Sequence, residues 1–330
     1  MTVNIAFFND LDAVAADAAG ALDRAARQSL FERLDWFRLI SAHCPPPGEV
    51  LVARAGDAWL FLSLKDKRAT AFSAWYSLRV GLSGEAKRDV MTSLAAALRE
   101  RGLISVTLAP MENPEPLAAA FRAAGWLVEV TPRTGNWRID TERMSFDDYW
   151  ASRPGQLRST YKRRAKAAGL DVEIFDCFDA NAWAAYEAVY QASWKPNEGS
   201  PAFLRALAEQ EGAAGTLRLG IARLDGEPVA AQLWLVENGE ATIHKLAYAE
   251  AAKHLSPGTI LGHAMFRRAI DTDRVRAIDY GTGDEPYKAD WMAERRQLWQ
   301  LTARNPRTVG GLAGALRAQA AKLAGRGRTR

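Results

Sequence analysis

The sequence predicts an α/β fold in which two successive halves each form a mixed, mostly antiparallel sheet flanked by helices. The first observation is that one order of predicted elements occurs twice along the 330 residues: helix, three strands, helix, strand, short helix, strand. The second is that three consecutive strands indicate antiparallel hairpins, whereas a strand, helix and strand indicate a crossover connection. The halves share element order only, because no repeat of residues is detectable.

The first half begins with an amphipathic helix at residues 29–44, where Leu30, Leu34, Phe37 and Ile40 recur at helical spacing. Alternating or continuous apolar runs then predict the strands, and longer periodic runs predict the helices. The predicted order is strands at 49–56, 58–66 and 69–80, a helix at 86–102, a strand at 103–110, a helix at 116–125 and a strand at 126–132.

The second half repeats this order after two helices. The tetrapeptide Leu-Asp-Gly-Glu predicts a tight turn between its first two strands. The predicted order is helices at 180–195 and 200–212, strands at 216–224, 228–238 and 240–250, a helix opening at 254–270, a strand at 275–283, a short helix at 285–292 and a strand at 295–304.

Composition indicates a globular protein, with 48% hydrophobic and 25% charged residues. Cys44 and Cys177 lie far apart, so neither a disulfide framework nor a zinc site is predicted, and we expect no bound metal. The first twenty residues lack the pattern of a secretion leader, and no apolar run is long enough to cross a bilayer. We therefore expect a cytoplasmic protein.

Positive charge is concentrated near the C-terminus. Residues 295–330 contain nine Lys or Arg and no acid, while the whole chain carries a net charge of +4. From Val309 onward, Leu312, Leu316, Ala320 and Leu323 recur at helical spacing. This pattern is typical of a helix on an anionic membrane surface or an acidic partner, which predicts peripheral binding to the inner face of the membrane. A frayed, solvated tail is the alternative.

The stretch HLSPGTILGHAMFRRAI, residues 254–270, joins a Ser-Pro-Gly turn to an apolar helix. Ser256 followed by Pro257 is ordinary chemistry for a helix start. The same start leaves backbone N–H groups unsatisfied beside the positive end of the helix dipole, and Gly258 would let an anion approach them. The turn is therefore either a simple cap or a phosphate site.

The chain resembles the GNAT acyltransferase superfamily in four stretches of its second half: SWK at 193–195, HKLAYAEAAKHLSPGTIL at 244–261, IDYGTGDEPYK at 278–288, and Trp291. The nearest likeness is to the tandem-GNAT group that includes Fem-type transferases, acetyltransferases of cellulose and exopolysaccharide synthesis, and bacterial ceramide synthase-like proteins. In the first half, FRAAGW at 121–126 is similar to the end of a GNAT domain, and WYSLRVGL at 75–82 lacks the glycines of a phosphate loop.

The resemblance implies two tandem GNAT-like domains. We expect a degenerate, non-catalytic domain at residues 1–140, a basic linker helix at 141–168, the catalytic domain at 169–304 and a basic amphipathic tail at 305–330. No permanently bound cofactor is implied, and acyl-CoA is the co-substrate. The resemblance places its pyrophosphate on the turn, with Ser256, Gly258 and Thr259 as the binding residues, together with Leu246 and Tyr248 of the preceding strand.

Transfer of an acyl group from a thioester to an amine requires a proton acceptor for the ammonium, donors for the oxyanion and an acid for the departing thiolate. The resemblance assigns the acid to Tyr287, with packing against Trp291 as the alternative. Candidates for the base are Asp284 and Glu285, which follow a strand end where open α/β sheets bind ligands, although acids at a helix start are also ordinary capping residues.

Two residues of one strand are further catalytic candidates. His244 has a suitable intrinsic pKa but is equally consistent with a structural histidine. Strand alternation places Lys245 on the opposite side from His244 and Tyr248. In similar sequences a lysine at this place borders the cleft, where it could stabilise an oxyanion or anchor an anionic group.

These observations predict an acyl-CoA-dependent N-acyltransferase acting on a primary amine. Our preferred acceptor is a long-chain, sphingoid-type amine at a membrane surface, as in bacterial ceramide synthesis. The alternatives are an amino sugar of an envelope polysaccharide, Fem-like transfer from an aminoacyl-tRNA, and a non-enzymatic scaffold. Residues 151–168 carry six basic residues and no acid, but lack the interleaved aromatics of a nucleic-acid platform, so we expect no nucleic-acid partner.

Overall fold

The computed structural model describes residues 3–326, with side chains up to residue 321. Residues 327–330, part of the predicted tail, lie outside the described residues. The chain forms two compact units: Met1–Thr134 with Gln297–Arg330, and Gly135–Arg296.

The first unit has a sheet of strand order β1-β2-β3-β4-β5-β12, in which only β4 and β5 are parallel. Its strands are β1 (Ile5–Phe8), β2 (Glu49–Ala55), β3 (Ala58–Lys65), β4 (Arg68–Ala71), β5 (Ser105–Met111), the start of β6 (Leu127–Asp140) and the end of β12 (Glu294–Arg304). Its helices are α1 (Leu11–Ala18), α2 (Leu34–His43), α3 (Arg88–Glu100), α4 (Glu115–Ala123) and α11 (Val309–Arg326).

The second unit repeats this pattern with strand order β7-β8-β9-β10-β11-β6, in which only β10 and β11 are parallel. Its remaining strands are β7 (Leu170–Phe175), β8 (Leu217–Leu224), β9 (Glu227–Glu237), β10 (Glu240–Tyr248) and β11 (Ala277–Thr282). Its helices are α5 (Phe146–Ala151), α6 (Gly155–Ala167), α7 (Ala180–Gln191), α8 (Pro201–Ala213), α9 (Pro257–Arg267) and α10 (Lys288–Trp291). The predicted fold class is confirmed: both sheets are mixed, mostly antiparallel and flanked by helices.

The sixth strand of each sheet comes from the other half of the sequence: β12 in the first unit and β6 in the second. Residues 136–140 of β6 pair with β11, and residues 299–304 of β12 pair with β5. Periodicity along a strand does not reveal its neighbour, since pairing is decided by tertiary contacts. The predicted boundaries at 1–140, 141–168, 169–304 and 305–330 do not anticipate this exchange and stay a prediction.

Three local expectations need correction. The strand predicted at 69–80 ends at Ala71, because the chain leaves the ladder with β5 after Thr70. The linker helix predicted at 141–168 is two helices, α5 and α6, separated at Pro154, which has no N–H to continue the first one. The short elements β1, α1 and β7 were not predicted, since four to eight residues give a weak periodic signal.

Helix α9 is buried against the sheet of the second unit. Leu261, Met265 and Phe266 belong to its core, which also includes Trp234 of β9. Gly220 of β8 permits the close approach, because a Cβ there would lie 2.5 Å from Sδ of Met265. Within residues 3–326, no helix is both long and apolar enough to span a membrane.

A buried ion pair fixes the far end of this helix segment. Asp273 ends the π-helical turn that follows α9, and its carboxylate receives hydrogen bonds from Arg218 of β8 at 2.9 and 3.1 Å. The side chain of Arg218 is 13% exposed and that of Asp273 is 6% exposed, so neither charge is well solvated. Arg268 donates a further bond to this carboxylate at 3.3 Å.

We predict that Asp273→Leu lowers the free energy of unfolding by about 3–5 kcal/mol, because it leaves the buried guanidinium of Arg218 without its carboxylate. Urea denaturation measures this loss. The matched variant combines Asp273→Leu with Arg218→Met and should recover at least about half of the lost stability. Equal stability of the single and double variants would show that the pair is not desolvated in solution.

Candidate active site

The parallel strands β10 and β11 are paired over only three positions, 240–242 with 277–279. Beyond Thr242 and Asp279 both strands continue, to Tyr248 and Thr282, without a further pair between them. The strands therefore separate and leave a cleft between their carboxyl ends, which is where open α/β sheets bind ligands.

A β-bulge lies at the start of this separation. Ile243 is opposite Trp234 of β9 and Lys245 is opposite Leu233, so His244 is the extra residue. A bulge bends its strand and increases the local twist. The bend occurs where β10 leaves β11, and it therefore marks the origin of the cleft.

A pocket of about 360 Å³ fills the cleft. Its walls are mostly aromatic and apolar, and its floor is the turn before α9. The lining residues are Leu157, Trp194, Gln232, Leu246, Tyr248, Lys253, Ser256, Pro257, Gly258, Thr259, Tyr280, Tyr287, Asp290 and Trp291. All five residues expected to bind CoA (Leu246, Tyr248, Ser256, Gly258 and Thr259) line this pocket, as does the expected acid Tyr287.

The start of α9 lacks a side-chain cap. Ser256 occupies the N-cap position in the left-handed region, at φ 57°, and its hydroxyl accepts no hydrogen bond from the helix. Its carbonyl oxygen instead accepts the amides of Thr259 and Ile260, at 3.0 and 3.2 Å. Within the described residues, the backbone N–H of Gly258 donates to no backbone carbonyl oxygen. The first turn therefore offers a backbone donor and the positive end of a helix dipole to the pocket.

Gln232 ties this turn to the sheet. Its amide nitrogen donates to the carbonyl oxygen of Gly258 at 3.4 Å, and its oxygen accepts the indole N–H of Trp234 at 2.9 Å. A Cβ at Gly258 would lie 3.2 Å from the ring of Tyr248, so a larger residue here would have to displace that ring slightly. The position of the turn is thus set from β9 and β10 together.

Tyr287 stands on the β11 wall of the pocket, just before α10. Its ring meets that of Tyr280 edge-on, with centroids 5.9 Å apart. Burial raises the pKa of Tyr287, and the negative charge of Glu285 and the nearby Tyr248 raise it further. The hydroxyl consequently keeps its proton throughout the neutral range and can donate a hydrogen bond in the pocket.

The two carboxylates that precede Tyr287 have different surroundings. Asp284 forms a two-pronged ion pair with Arg295, whose hydrogen bonds hold the pKa of Asp284 below its usual range. Glu285 pairs with Lys288 at 3.0 Å. Partial burial acts to raise the pKa of Glu285, but bonds from its own backbone and from Lys288, with the charge of Lys195, give a net lowering. Neither carboxylate is among the pocket-lining residues.

His244 and Lys245 also lie outside the pocket lining. Burial, with a smaller contribution from the charge of Lys245, lowers the pKa of His244 to about 3, so its imidazole is neutral and weakly basic at neutral pH. Lys245 forms a buried ion pair with Glu198 at 2.9 Å, and its Nζ lies 5.6 Å from the ring centroid of Tyr190 on α7. Lys245 thus faces away from Tyr248, as alternation predicted.

Several pocket residues were missed by reasoning from the sequence. Trp194 packs against Tyr248 with ring centroids 4.2 Å apart and closes the side of the pocket next to α7. Its signal was present, since the SWK motif was noted without a role. Gln232 and Leu157 gave no signal, because one polar residue in a buried strand and one leucine in a basic helix carry no pattern.

The first unit contains a similar separation of parallel strands. β4 and β5 pair only over 68–70 with 105–107, and a pocket lies beyond. This pocket contains an ion pair between Arg79 and Glu112, at 3.1 Å, and the half-buried Glu32. The first turn of α4 lines it through Pro116 and Leu117, but within the described residues this helix begins at Glu115 and not at a glycine. The expectation that this half is non-catalytic stays a prediction.

Comparison with known families identifies the second unit. Residues 151–289 match the family model described as Acetyltransferase (GNAT) domain. Residues 151–289 are a GNAT acetyltransferase domain. The match spans the cleft, the turn before α9 and Tyr287, which are the features that the GNAT resemblance predicted from the sequence. The predictions of a GNAT-type family and of an N-acyltransferase enzyme are confirmed.

Solved structures share the fold across most of the chain. The C-terminal domain of a protein assigned as a lysylphosphatidylglycerol synthetase, from Agrobacterium fabrum, has a TM-score of 0.60 at 14% identity, covering 94% of this chain and 96% of that one. FemX has a TM-score of 0.60 at 9% identity, covering 92% and 100%. L-PGS from Bacillus licheniformis has a TM-score of 0.56 at 13% identity, covering 84% and 94%.

These identities establish the fold and not the substrate. No curated protein matches the chain. The GNAT domain supports N-acyl transfer as the reaction class, and GNAT domains typically use acyl-CoA as the co-substrate.

We predict that Gly258→Asp abolishes measurable CoA binding in calorimetry, because its carboxylate would stand where the turn presents donors to an anion. The matched control is Gly258→Asn, which has the same size and no charge. Both variants crowd Tyr248, so Asn should weaken binding several-fold, and Asp should weaken it at least tenfold more. Equal affinities for Asp and Asn would exclude a phosphate at this turn.

Proposed function

We propose that the chain transfers an acyl group from acyl-CoA to a long-chain, sphingoid-type primary amine at a membrane surface. The observation that carries the acyl-CoA part is the cleft between β10 and β11, which ends on the uncapped start of α9. A pyrophosphate on the amide of Gly258 and the hydroxyl of Thr259 would place the rest of CoA along Leu246 and Tyr248. Acyl-CoA would be a co-substrate, and no resident cofactor is part of the proposal.

Tyr287 is our candidate for the acid that protonates the leaving thiolate. It stands on the wall opposite Leu246 and Tyr248, so a thioester lying along β10 would face it across the pocket. Burial raises its pKa, so the hydroxyl is protonated at neutral pH and can donate a hydrogen bond to the sulfur as negative charge develops there. The hydroxyl therefore acts more strongly on the transition state than on the bound substrate, which is the condition for lowering the barrier.

An apolar acceptor is supported by the character of the pocket. Its walls are largely aromatic or aliphatic, and the exposed ring of Trp194 stands at its edge. Such walls provide burial for a hydrocarbon chain, at about 25 cal/mol per Å² of apolar surface removed from water.

The surfaces of two helices support binding of the protein to an anionic membrane. On α11, Val309, Leu312 and Leu316 are 89%, 47% and 59% exposed, so an apolar row faces outward instead of packing on the first unit. On α6, Leu157 lines the pocket while the basic residues are exposed: Arg158, Lys162, Arg163, Arg164 and Lys166. Each such charge near an anionic leaflet contributes on the order of 1 kcal/mol, screened by salt.

The alternatives are an amino-sugar acceptor and Fem-like transfer from an aminoacyl-tRNA. The purified full-length chain should be mixed with long-chain acyl-CoA and offered sphinganine or glucosamine, with free CoA and the amide product followed by mass spectrometry. We expect the N-acyl sphingoid product. Amide formation on glucosamine alone would replace the lipid proposal by the sugar alternative, and dependence on aminoacyl-tRNA would replace both.

We predict that Tyr287→Phe lowers kcat by about 10²–10⁴-fold and leaves CoA affinity nearly unchanged, because only the proton donor is lost. Steady-state kinetics and calorimetry measure the two quantities. Tyr161→Phe is the matched control, since Tyr161 stacks on His263 beside α9 and does not line the pocket. If Tyr287→Phe behaves like that control, Tyr287 is a packing residue.

We predict that Leu316→Asp lowers flotation of the protein with anionic liposomes, because it breaks the outward apolar row of α11. Gln319→Asp is the control, since it adds the same charge at another exposed position of α11 and removes no apolar side chain. It should lose only the small contribution of one charge. An equal loss for the two variants would show that charge alone, and not an inserted apolar face, holds the protein on the membrane.

A further inference from the structure

The pocket between β10 and β11 carries charge at two places on its wall. Two of the described residues that line it are charged, Lys253 and Asp290. Lys253 comes shortly before the turn at Ser256 and pairs with Glu250 at 2.9 Å. The start of α9 adds the positive end of a helix dipole on the same side. Asp290 lies on α10 and gives a negative charge to the wall that Tyr287 also lines.

The carboxylate of Asp290 has no ion-pair or hydrogen-bond partner in the part of the chain that the structure describes. The side chain is exposed, so its oxygens are open to a ligand. Other acids near the cleft are each paired with a cation: Asp284 with Arg295, Glu285 with Lys288, and Glu198 with Lys245. Asp290 is thus the carboxylate of the pocket wall whose charge is available to a bound molecule.

The carboxylate of Asp290 also has no role in holding α10 together. Asp290 is the third residue of this four-residue helix, a position where an acid often caps the helix start. Here the helix start has no side-chain cap hydrogen bond. The turn is closed by the backbone, since the N–H of Asp290 donates to the carbonyl oxygen of Tyr287 at 3.2 Å. Loss of the charge should therefore leave the fold intact.

The residues on either side of Asp290 fix its position on the wall. Lys288 is buried and donates to the carbonyl oxygen of Thr282 at 2.6 Å. Trp291 is buried and stacks on Phe266 of α9, with ring centroids 5.0 Å apart. Side chains three residues apart on a helix have Cβ atoms about 5–6 Å apart, so a group held by Asp290 lies beside Tyr287.

We propose that Asp290 binds the ammonium group of the acceptor and so selects a positively charged primary amine. This inference rests on the proposed N-acyl transfer. The carboxylate accepts hydrogen bonds from the ammonium, which brings the acceptor nitrogen to the wall of Tyr287. Attack on the thioester needs the neutral amine, which still has two N–H bonds, and one of them can stay on the carboxylate. Asp290 is thus assigned to binding and orienting the acceptor, and not to proton transfer.

The charges of the wall also keep the two substrates apart. The phosphates of CoA are attracted to the start of α9 and to Lys253, and Asp290 repels them. An ammonium has the opposite preference. The competing possibility is that Asp290 is a solvated surface acid without a ligand, in which case removal of its charge changes no affinity.

Asp290→Asn tests the proposal in steady-state kinetics, because it removes the charge and keeps the size. We expect KM for sphinganine to rise by about three- to fivefold and kcat to stay within about twofold. Asp225→Asn is the matched control, since Asp225 is exposed in the turn between β8 and β9 and lies outside the pocket lining. A lower kcat at unchanged KM would overturn the binding role in favour of proton transfer.

A second measurement does not depend on activity. Octylamine and octanol have the same hydrocarbon chain, but only the amine is charged at pH 7. In calorimetry, Asp290→Asn should bind octylammonium about three- to fivefold more weakly than wild type and bind octanol equally well. Asp290→Lys should lose at least about tenfold for octylammonium, because like charges repel. Both variants should melt within about 2 °C of wild type.

The two proposals fail in different ways. A wild-type chain that acylates no amine overturns the proposed function. An affinity for octylammonium that is the same in wild type and Asp290→Asn overturns the role of Asp290, whichever amine is acylated. An equal loss in Asp225→Asn also overturns that role, because it would reflect the net charge of the protein and not a contact in the pocket.

Discussion

The structure of the active unit depends on the early separation of two parallel strands. β10 and β11 share three residue pairs and then diverge, with the bulge at His244 on one side of the divergence. Unpaired backbone groups inside a protein are costly, so a sheet that opens in this way has to supply other partners at the opening or expose it to a ligand. The pocket, the turn before α9 and the aromatic walls all lie in the space that the divergence creates.

The same separation explains why the residues that hold the walls of the cleft are small, aromatic or hydrogen-bonded to a neighbouring element. Gly220 lets α9 rest on β8, and Gln232 fixes the carbonyl of Gly258 from β9, so the helix start is held against the sheet from two sides. On the other wall, Trp291 stacks on Phe266 of α9 with centroids 5.0 Å apart, and its carbonyl accepts the hydroxyl of Tyr149 at 2.9 Å. A site held on packed elements in this way keeps its geometry before any ligand arrives.

Much of the fold and part of the site could be predicted from the sequence. Long elements such as α9 and β9 have strong periodicity, and the turn at Ser256 to Thr259 is a local signal, so these were anticipated. Two features were not predicted: the exchange of β6 and β12 between the sheets, and the bulge at His244. Both depend on which strands pair in the folded chain. The same holds for Lys195, because its burial and then the charges of Lys245 and Lys288, which are distant in sequence, lower its pKa only once the chain is folded.

The central claim is that acyl-CoA lies in the cleft with its pyrophosphate on the start of α9 and its sulfur facing Tyr287. A crystal structure of the full chain with CoA bound tests this most directly. We expect phosphate oxygens within hydrogen-bond distance of the backbone N–H of Gly258 and the hydroxyl of Thr259, and the thiol between β10 and β11 within reach of the Tyr287 hydroxyl. CoA bound away from this turn, or with its thiol on the outer side of β10, would contradict it.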